Sequence, residues 1–475
     1  MKQLFKTSIF LLFALMLPAT ALANEYEFEV DGIYYTRLFG EIISDSEVAV
    51  TYNKSSYEPS YSGDITIPAT VTYDGTTYSV TAIGEGAFSS CMGLTSIVIP
   101  NSVRYIGDYA FFGCQALASI DIPNSVNYIG HGAFENTKWY NNQPDGLVYA
   151  GWIAYQYKGN MPTGTSLALA EGTRGIAEYA FFGCEGLESI DLPNSVISIG
   201  DYAFQWCTGL TCASIGNSVQ YIGDNAFCEC CNLTSIDLPN SVTSIGNEAF
   251  YWCTGLTSVS IGKSVWSIGD DVFYGCRNLF SITVASGNSN YDSRDNCNAI
   301  IRTASNKLIT GCKSTIIPNS VTSIDKGAYV SGSGMTMLEI PSSVTTIGDY
   351  AFYECGELDT VKCLGTVPPR MTGYECFSED TYYNATLVVP HGSEEAYAIS
   401  SGWELFHIEG WNSAGPGDVN ADGQLNITDV TVLIDYLLTG NSLGVSMLGA
   451  DVNWDGQVNI ADVTALIDEL LNSNN

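Results

Sequence analysis

SIDLPNSVTSIGNEAFYWCTGL, residues 235–256, decides the fold, because close copies of it recur along the chain, among them SIVIPNSVRYIGDYAFFGCQAL (96–117) and SIDLPNSVISIGDYAFQWCTGL (189–210). An isoleucine, which is followed by a glycine in eight of ten copies, sets the phase of each copy. It occurs at Ile83, Ile106, Ile129, Ile176, Ile199, Ile222, Ile245, Ile268, Ile324 and Ile347. The steps are 23 residues, except for 47 after Ile129 and 56 after Ile268. A fixed period of this length predicts a solenoid of at least ten stacked coils, because one repeat cannot bury its apolar face alone.

Each coil is predicted to contain a short strand with the L-x-x-L-x-L pattern. In the copy at 94–117, Leu94, Ile97 and Ile99 form an L-x-x-L-x-L pattern that points alternate side chains inward. Pro100 ends the strand because it has no N–H to donate, and Gly107 is expected to allow a tight turn. The other positions expected in the core are Val103, Ile106, Ala110 and Phe111. The fold class is therefore mainly β, a leucine-rich repeat solenoid of short parallel strands in 23-residue coils.

The I-P-x-S-V, S-I-G and A-F-x-x-C-x-x-L motifs resemble those of the BspA-like leucine-rich repeat family of bacterial surface and secreted proteins, over residues 60–411. The resemblance implies hairpin insertions near 137–172 and 285–315 within repeats spanning 81–362. It also implies a closing segment at 363–411 that caps the last coil. Residues 24–80 are β-rich and are interpreted as the N-terminal cap.

The C-terminal 60 residues carry a different pattern, which occurs twice. GDVNADGQLNITDVTVLIDYLL (417–438) returns 33 residues later as ADVNWDGQVNIADVTALIDELL (450–471). Oxygen-bearing side chains stand at positions 1, 3, 5, 9 and 12 of each loop, a glycine stands at position 6, and position 7 offers a backbone carbonyl. Calcium prefers such a set of six to eight oxygens along a tight loop. The predicted ligands are Asp418, Asn420, Asp422, Gln424, Asn426, Asp429, Asp451, Asn453, Asp455, Gln457, Asn459 and Asp462.

Each loop runs into an amphipathic helix. The apolar face of the first helix carries Val430, Leu433, Ile434 and Leu437, and that of the second carries Val463, Leu466, Ile467 and Leu470. An Asx-rich turn that only caps a helix is the simpler interpretation of one loop, but not of two with equal spacing. The duplicated loop–helix with Asp at position 12, and no entering helix before Asp418, is similar to a type I dockerin, a small α-helical domain. The resemblance implies two Ca²⁺ ions and a cohesin-like partner, selected in part by loop positions 10 and 11: Ile427, Thr428, Ile460 and Ala461.

The predicted organisation is therefore a signal peptide (1–23), the N-terminal cap (24–80), the repeats (81–362), the closing segment (363–411), a Gly/Pro linker (412–417) and the dockerin (418–475). The signal peptide is predicted from Lys2 and Lys6 before an apolar run and from the A-x-A site at Ala21–Ala23. No later run is apolar enough to span a membrane. We expect a secreted protein or one held at the extracellular surface.

The formal charge is −34, with 51 acidic and 17 basic residues. This charge disfavours nucleic acid and anionic membranes as partners and favours divalent cations. It is equally consistent with an acidic surface that only keeps an exported protein soluble.

Fifteen cysteines are present, and eight of them share the slot of the C-x-x-L motif: Cys91, Cys114, Cys184, Cys207, Cys230, Cys253, Cys276 and Cys355. A position fixed by the repeat predicts a small buried thiol. The off-slot cysteines are better disulfide candidates, with Cys297–Cys312 and Cys363–Cys376 as the pairs to test.

Two surfaces of the solenoid are candidates for ligand binding. The outward positions of the main strands are small and polar, among them Ser96, Ser119 and Asp121. Aromatic residues gather on another edge: Tyr109, Phe112, Tyr179, Phe182, Tyr202, Trp206, Tyr251, Trp252, Trp266 and Tyr274. If several are exposed in a row, they form a contact strip for an unknown protein or glycan.

Catalysis is not predicted. His131, His391 and His407 are the three histidines, and each is expected to be structural or solvated. Dockerins commonly accompany polysaccharide-degrading enzymes, but the acids are accounted for by repeat slots (Asp108, Asp201, Asp224) or by calcium loops. The sequence thus predicts a non-enzymatic binding or adhesion protein docked through a dockerin and plausibly linked to polysaccharide breakdown. A free adhesin with a calcium-stabilised terminus and a glycoside hydrolase component are the alternatives.

Overall fold

The computed structural model describes residues 26–38, 46–53, 61–329, 334–353, 355–373, 375–411, 417–420, 425–440, 445–453 and 457–472. The predicted signal peptide and all but the last residue of the predicted linker lie outside these residues. The chain divides into two compact units, Met1–Ala304 and Ser305–Asn475. Within the described part of the chain, no helix combines the length and apolar character needed to cross a lipid bilayer.

The first unit is almost entirely β. Its elements are β1 (Phe28–Val30), β2 (Ile33–Arg37), β3 (Glu47–Thr51), β4 (Gly63–Thr66), β5 (Thr70–Tyr73), β6 (Thr76–Ile83), β7 (Leu94–Val98), β8 (Tyr105–Ile106), β9 (Tyr128–Ile129), α1 (Lys138–Asn141), β10 (Gly146–Ala150), β11 (Ile153–Lys158), β12 (Thr165–Ala168), β13 (Gly175–Ile176), β14 (Leu187–Asp191), β15 (Ser198–Ile199), β16 (Cys212–Ser214), β17 (Tyr221–Ile222), β18 (Ser235–Asp237), β19 (Ser244–Ile245), β20 (Ser258–Ile261), β21 (Ser267–Ile268), β22 (Ser281–Val284), β23 (Tyr291–Asp292), a 3₁₀ turn (Arg294–Asn296) and β24 (Ala299–Arg302).

The second unit combines the last repeats with the helices of the C-terminus. Its elements are β25 (Lys307–Gly311), β26 (Ser323–Ile324), β27 (Met337–Ile340), β28 (Thr346–Ile347), β29 (Thr360–Cys363), β30 (Arg370–Met371), α2 (Glu379–Asn384), β31 (Thr386–Pro390), α3 (Glu394–Ala398), a 3₁₀ turn (Trp403–Leu405), β32 (His407–Trp411), α4 (Ile427–Thr439), α5 (Met447–Ala450) and α6 (Ile460–Asn472).

The phase isoleucines form continuous parallel ladders, as the 23-residue step predicts. Ile176 pairs with Ile199, Ile199 with Ile222, and Ile222 with Ile245 along β13, β15, β17 and β19. The L-x-x-L-x-L strands form a second parallel ladder, in which Ile190 of β14 pairs with Ala213 of β16. All ten phase isoleucines are buried. The solenoid of short parallel strands is therefore confirmed.

Aromatic rings and thiols fill the core between coils. Phe204, Phe227 and Phe250 stack with ring centroids 5.0 and 5.3 Å apart. The slot cysteines are all buried, as predicted, and each thiol in the regular coils donates to a backbone carbonyl of the preceding coil. Cys253 Sγ, for example, lies 3.1 Å from the oxygen of Phe227.

The glycine that follows the phase isoleucine has a different role from the one predicted. Gly107 does not have a left-handed backbone; instead, a Cβ there would lie 2.7 Å from the nitrogen of Glu85 in the preceding coil. Gly200 repeats this arrangement against the nitrogen of Glu178, also at 2.7 Å. The glycine therefore permits close approach of two backbones rather than a tight turn.

An antiparallel hairpin interrupts the coils where the first long step occurs. Strands β10 and β11 pair from Gly146 with Lys158 to Ala150 with Ile153, and β11 then pairs in parallel with β13. In the second unit, β31 and β32 extend the β27–β29 sheet in parallel. Trp403 is fully buried beside them, and its Nε1 donates to the oxygen of Pro369 at 2.7 Å.

Helices α4 and α6 pack together around a small core of their own. Its buried members are Val419, Val430, Leu433, Ala450, Val452, Val463 and Leu466. Ile434 and Ile467, predicted on the apolar face of each helix, are instead 39% and 40% exposed. A domain with two helices of this length cannot cover the whole of each apolar stripe.

Candidate functional site

The first predicted calcium loop folds back onto the start of α4. Asn426 is the N-cap, and its Oδ1 accepts from the backbone N–H of Thr428 at 2.8 Å. The carboxylate of Asp429 accepts two backbone N–H groups of the loop, from Asn420 at 3.1 Å and from Asn426 at 2.9 Å. Asp429 is fully buried and Asp418 is nearly so.

The second loop repeats these contacts at the start of α6. Asp462 is fully buried and accepts from Asn453 N–H at 3.2 Å and Asn459 N–H at 2.8 Å. Asn459 Oδ1 accepts from the N–H of Ala461 at 2.8 Å. Asp451 is half-buried and Gln457 is exposed. The same hydrogen bonds in two loops 33 residues apart show that the duplication in sequence is also a duplication in structure.

Three of the predicted ligands, Asp422, Gln424 and Asp455, lie outside the described residues. Among the residues that are described, no group of three or more His, Cys, Asp or Glu side chains converges on one point. The described donors nevertheless fit calcium, because all are carboxylate or amide oxygens. Moreover, a buried carboxylate is costly unless a cation compensates its charge, and Asp429 and Asp462 are such carboxylates.

The residues at loop positions 10 and 11 are exposed on the first turn of each helix. Ile427 and Ile460 are each 71% exposed, and Thr428 and Ala461 are exposed beside them. Further along the helices, Ile434 and Ile467 match in exposure, and Leu438 and Leu471 are both exposed. Each helix therefore presents an equivalent row of apolar side chains to solvent, which is unusual for a small domain without a partner.

The aromatic edge of the first unit is accessible. Of its ten predicted members, none is buried: Tyr109, Phe182, Trp206 and Trp266 are exposed and the other six are half-buried. The rings of Tyr179 and Tyr202 stack at 4.7 Å, and those of Tyr251 and Tyr274 at 4.8 Å. Phe182 and Trp206 lie 5.0 Å apart.

Sequence reasoning misplaced one member of this edge and missed another. Trp266 precedes β21 and occupies the coil position of Arg104 and Arg174, so it belongs to a different column. His131, which was expected to be structural or solvated, lies between Tyr109 and Tyr179, with ring centroids 5.1 and 4.3 Å away. We define the aromatic strip as these rings without Trp266: Tyr109, Phe112, His131, Tyr179, Phe182, Tyr202, Trp206, Tyr251, Trp252 and Tyr274.

Several strip residues have an unusual backbone. Tyr109, Tyr179, Tyr202, Trp206 and Trp252 have φ between 52° and 61°, in the left-handed region. The same coil positions hold Gly132, Gly183 and Gly275 elsewhere. A bulky side chain in this region is strained, so these rings are present despite a local cost.

Carboxylates in the repeat slot form a ladder that links successive coils. Asp201 Oδ1 accepts from the N–H of Asp224 at 2.8 Å, and Asp224 Oδ1 from that of Asn247 at 2.7 Å. Burial raises the pKa of Asp201 to about 6. Burial, and then the nearby charge of Asp108, raise the pKa of Glu178 to about 8, and Tyr128 donates to the Glu178 carboxylate. These acids have structural partners in the solenoid.

The other titratable candidates are simply accounted for. His391 and His407 are largely exposed and lie 3.0 and 3.2 Å from Glu394 and Glu409. None of the fifteen cysteines, all of which the structure describes, forms a disulfide, so the disulfides suggested for Cys297–Cys312 and Cys363–Cys376 are wrong. Cys376 is buried and donates instead to the oxygen of Gly348 at 3.2 Å.

Comparison with known families agrees with this architecture. The BspA type leucine rich repeat region matches residues 61–144, 174–301 and 300–391 in six copies, and the dockerin type I domain matches 416–471. The chain belongs to the BspA-type leucine-rich repeat family and carries a C-terminal type I dockerin domain. Domains of this type bind calcium and dock onto cohesin modules.

Two of the solved structures similar to this chain are bacterial leucine-rich repeat proteins. A leucine-rich repeat protein from Bacteroides ovatus is 26% identical, over 81% of this chain and 99% of that one, with a TM-score of 0.39. A leucine rich cell surface protein from Faecalibacterium prausnitzii is 22% identical, over 83% and 96% of the two chains, with a TM-score of 0.37. No curated protein matches the chain.

Proposed function

We propose that this protein is exported and that its dockerin, loaded with two calcium ions, holds the solenoid on a cohesin-bearing scaffold or surface partner. The observation that carries the proposal is the exposed apolar row that recurs at equivalent positions of α4 and α6. A dockerin without a partner would leave these side chains in water.

The proposed calcium ligands are the residues at positions 1, 3, 5, 7, 9 and 12 of each loop. In the first loop they are Asp418, Asn420, Asp422, Gln424, Asn426 and Asp429. In the second they are Asp451, Asn453, Asp455, Gln457, Asn459 and Asp462. When bound, each cation supplies the charge that compensates the buried Asp429 or Asp462 carboxylate and holds the loop against its helix.

Partner contact is proposed for Ile427 and Thr428 in one half and for Ile460 and Ala461 in the other. Since the two halves present similar side chains, the partner can bind either half, in orientations related by a pseudo-twofold axis. Substituting one half alone is then expected to weaken binding little, whereas substituting both halves abolishes it.

The solenoid is proposed to be a binding surface rather than an enzyme. Two features support this role: the accessible aromatic strip, and the engagement of the coil carboxylates in ladders between coils. Such a surface would serve an adhesin, and it would also serve a non-enzymatic binding protein linked to polysaccharide breakdown. A pair of carboxylates about 5–10 Å apart in a cleft would instead favour a glycoside hydrolase.

The docking proposal is tested with the full chain and purified cohesin modules. Binding is measured by calorimetry for the wild type, for Ile427→Asp, for Ile460→Asp and for the double variant. We expect retention in each single variant and loss in the double variant, with the calcium content unchanged. Equal binding by all four chains would contradict the assigned surface.

A further inference from the structure

The aromatic strip lies in a strongly acidic part of the first unit. The coil segments that carry it are 107–114, 130–137, 177–184, 200–207, 223–230, 246–253 and 269–276. They contain nine acidic residues and no lysine or arginine: Asp108, Glu135, Glu178, Asp201, Asp224, Glu229, Glu248, Asp270 and Asp271. Burial raises the pKa of Glu178 to about 8, so Glu178 is mostly neutral at neutral pH and the other eight supply the negative charge. Rings beside carboxylates form a surface that is complementary to a positive charge, because the ring faces attract cations and carboxylates pair with them.

The chain itself shows the contact that such a surface makes. The guanidinium carbon of Arg277 lies 5.1 Å from the ring centroid of Trp252. Arg277 lies one coil after Trp252, and the residue at the same position one coil after Trp206 is Cys231. Trp206 is 44% exposed, so its indole is accessible to a cation that the chain does not provide at this position.

An acidic residue occupies the equivalent position in the coil that follows Trp206. Glu229 occupies the same coil position as Trp206 and Trp252, in the coil between theirs, and all three have left-handed φ, at 61°, 59° and 54° respectively for Trp206, Glu229 and Trp252. Successive coils are about 4.8 Å apart in a parallel ladder, so Glu229 lies one ladder step from each tryptophan. The column therefore alternates ring, carboxylate and ring.

The geometry of the rings disfavours a sugar as the ligand. Sugars pack on the flat face of an aromatic ring, but Tyr179 and Tyr202 cover each other at an interplanar angle of 8°, and Tyr251 and Tyr274 do so at 15°. In each stacked pair, the ring face that one tyrosine turns towards the other is covered and cannot pack against a sugar. We propose that the strip binds an extended basic segment of a partner protein, with an arginine or lysine side chain on Trp206 beside Glu229.

This inference rests on the proposed role of the solenoid as a binding surface and is independent of docking. The test uses the full chain and a labelled peptide of alternating arginine and serine. A peptide of alternating glutamate and serine is the control for the sign of the charge. Fluorescence anisotropy gives the dissociation constant at physiological salt. Because an acidic chain attracts any cationic peptide, the comparison between matched variants decides the outcome, not binding by itself.

Three variants address the site. Trp206→Gly removes the ring, and it should fold because Gly113, Gly183 and Gly275 occupy this position in other coils. Glu229→Gln removes the charge. Cys231→Arg supplies the missing cation from within the chain, where it should cover Trp206 as Arg277 covers Trp252.

Two controls match these variants away from the strip. Trp266→Ala removes an equally exposed tryptophan from a different column. Gln220→Arg adds the same charge as Cys231→Arg, at a coil position that already holds Arg104 and Arg174.

We expect the three site variants to weaken peptide binding by about 3- to 10-fold each. The controls should stay close to the wild type, apart from the small and general effect of one added charge. Equal weakening by Cys231→Arg and Gln220→Arg would mean that binding depends only on the net charge of the chain, and it would overturn the proposal. Binding of a neutral β-glucan oligosaccharide that Trp206→Gly abolishes would also overturn it, while leaving a glycan-binding solenoid in place. Cohesin binding, measured on the same variants, should be unchanged, which separates this test from the test of docking.

Discussion

Substitution of Gly200 by alanine tests how closely the coils approach each other. A Cβ at Gly200 would lie 2.7 Å from the nitrogen of Glu178 and 2.9 Å from the oxygen of Ile176. Ordinary contacts of a Cβ begin at 3.4 Å, so the two backbones must separate by roughly 0.5–0.7 Å. The Gly200 N–H also donates to the oxygen of Ile176 at 2.9 Å, and separation weakens this bond.

The expected cost combines two effects. Overpacking of a dense core costs about 1–3 kcal/mol, and a weakened buried hydrogen bond costs about 1 kcal/mol. Gly200→Ala should therefore lower the free energy of unfolding by about 2–4 kcal/mol. Gly183→Ala is the matched control, because its backbone is left-handed but nothing lies within 4 Å of its Cβ. Its cost should be about 1 kcal/mol, from the backbone alone.

The assay is urea unfolding followed by circular dichroism, with thermal melts as a second measure. Repeat arrays do not always unfold in one step, so the two variants are compared at the transition that contains these coils. A Gly200→Ala protein as stable as Gly183→Ala would refute the close backbone approach, and with it the register that places the aromatic strip.

Three further outcomes follow from the same structure. Glu178 has a pKa of about 8 in the folded chain against an ordinary 4.5, so its contribution to stability is complete below about pH 4.5 and is lost as the pH rises through 8; thermal melts between about pH 5 and pH 8 should show this loss in the wild type and a flatter profile in Glu178→Gln. Chelation of calcium should unfold residues 412–475 and leave the solenoid folded, and limited proteolysis should then release the solenoid intact; a C-terminal domain that resists protease in chelator would contradict the calcium assignment. The buried Cys253 should resist thiol reagents in the native protein while the exposed Cys212 reacts, and Cys253→Ala should cost about 1 kcal/mol where Cys212→Ala costs nothing measurable.

The parts of the fold that the sequence predicts are those that repeat. Ile199 and Ile222 had to pair because the period is the same on both sides, and the buried slot of Cys207 followed from the same period. Asp429 and Asp462 were recognised as equivalent residues of the two loops because the loops share one spacing.

Other features depend on contacts that no local pattern records. The role of Gly107 depends on the backbone of the preceding coil, whose distance is not a property of either copy. His131 meets Tyr179 across the 47-residue step, so the interruption hides their proximity in sequence. Ile434 fits the apolar periodicity of its helix, and only the small size of the C-terminal domain leaves it exposed. The left-handed backbone at Trp206 was foreseeable, since glycine fills that position in neighbouring coils.

The central claim is that calcium-loaded loops dock this chain onto a cohesin module. It is tested most directly by titrating the full chain with purified cohesins in calcium and again in chelator. The account predicts saturable one-to-one binding in calcium and none in chelator, with Asp429→Ala and Asp462→Ala together eliminating it. Binding that persists in chelator, or no binding by a chain shown to hold calcium and a folded C-terminal domain, would contradict the claim.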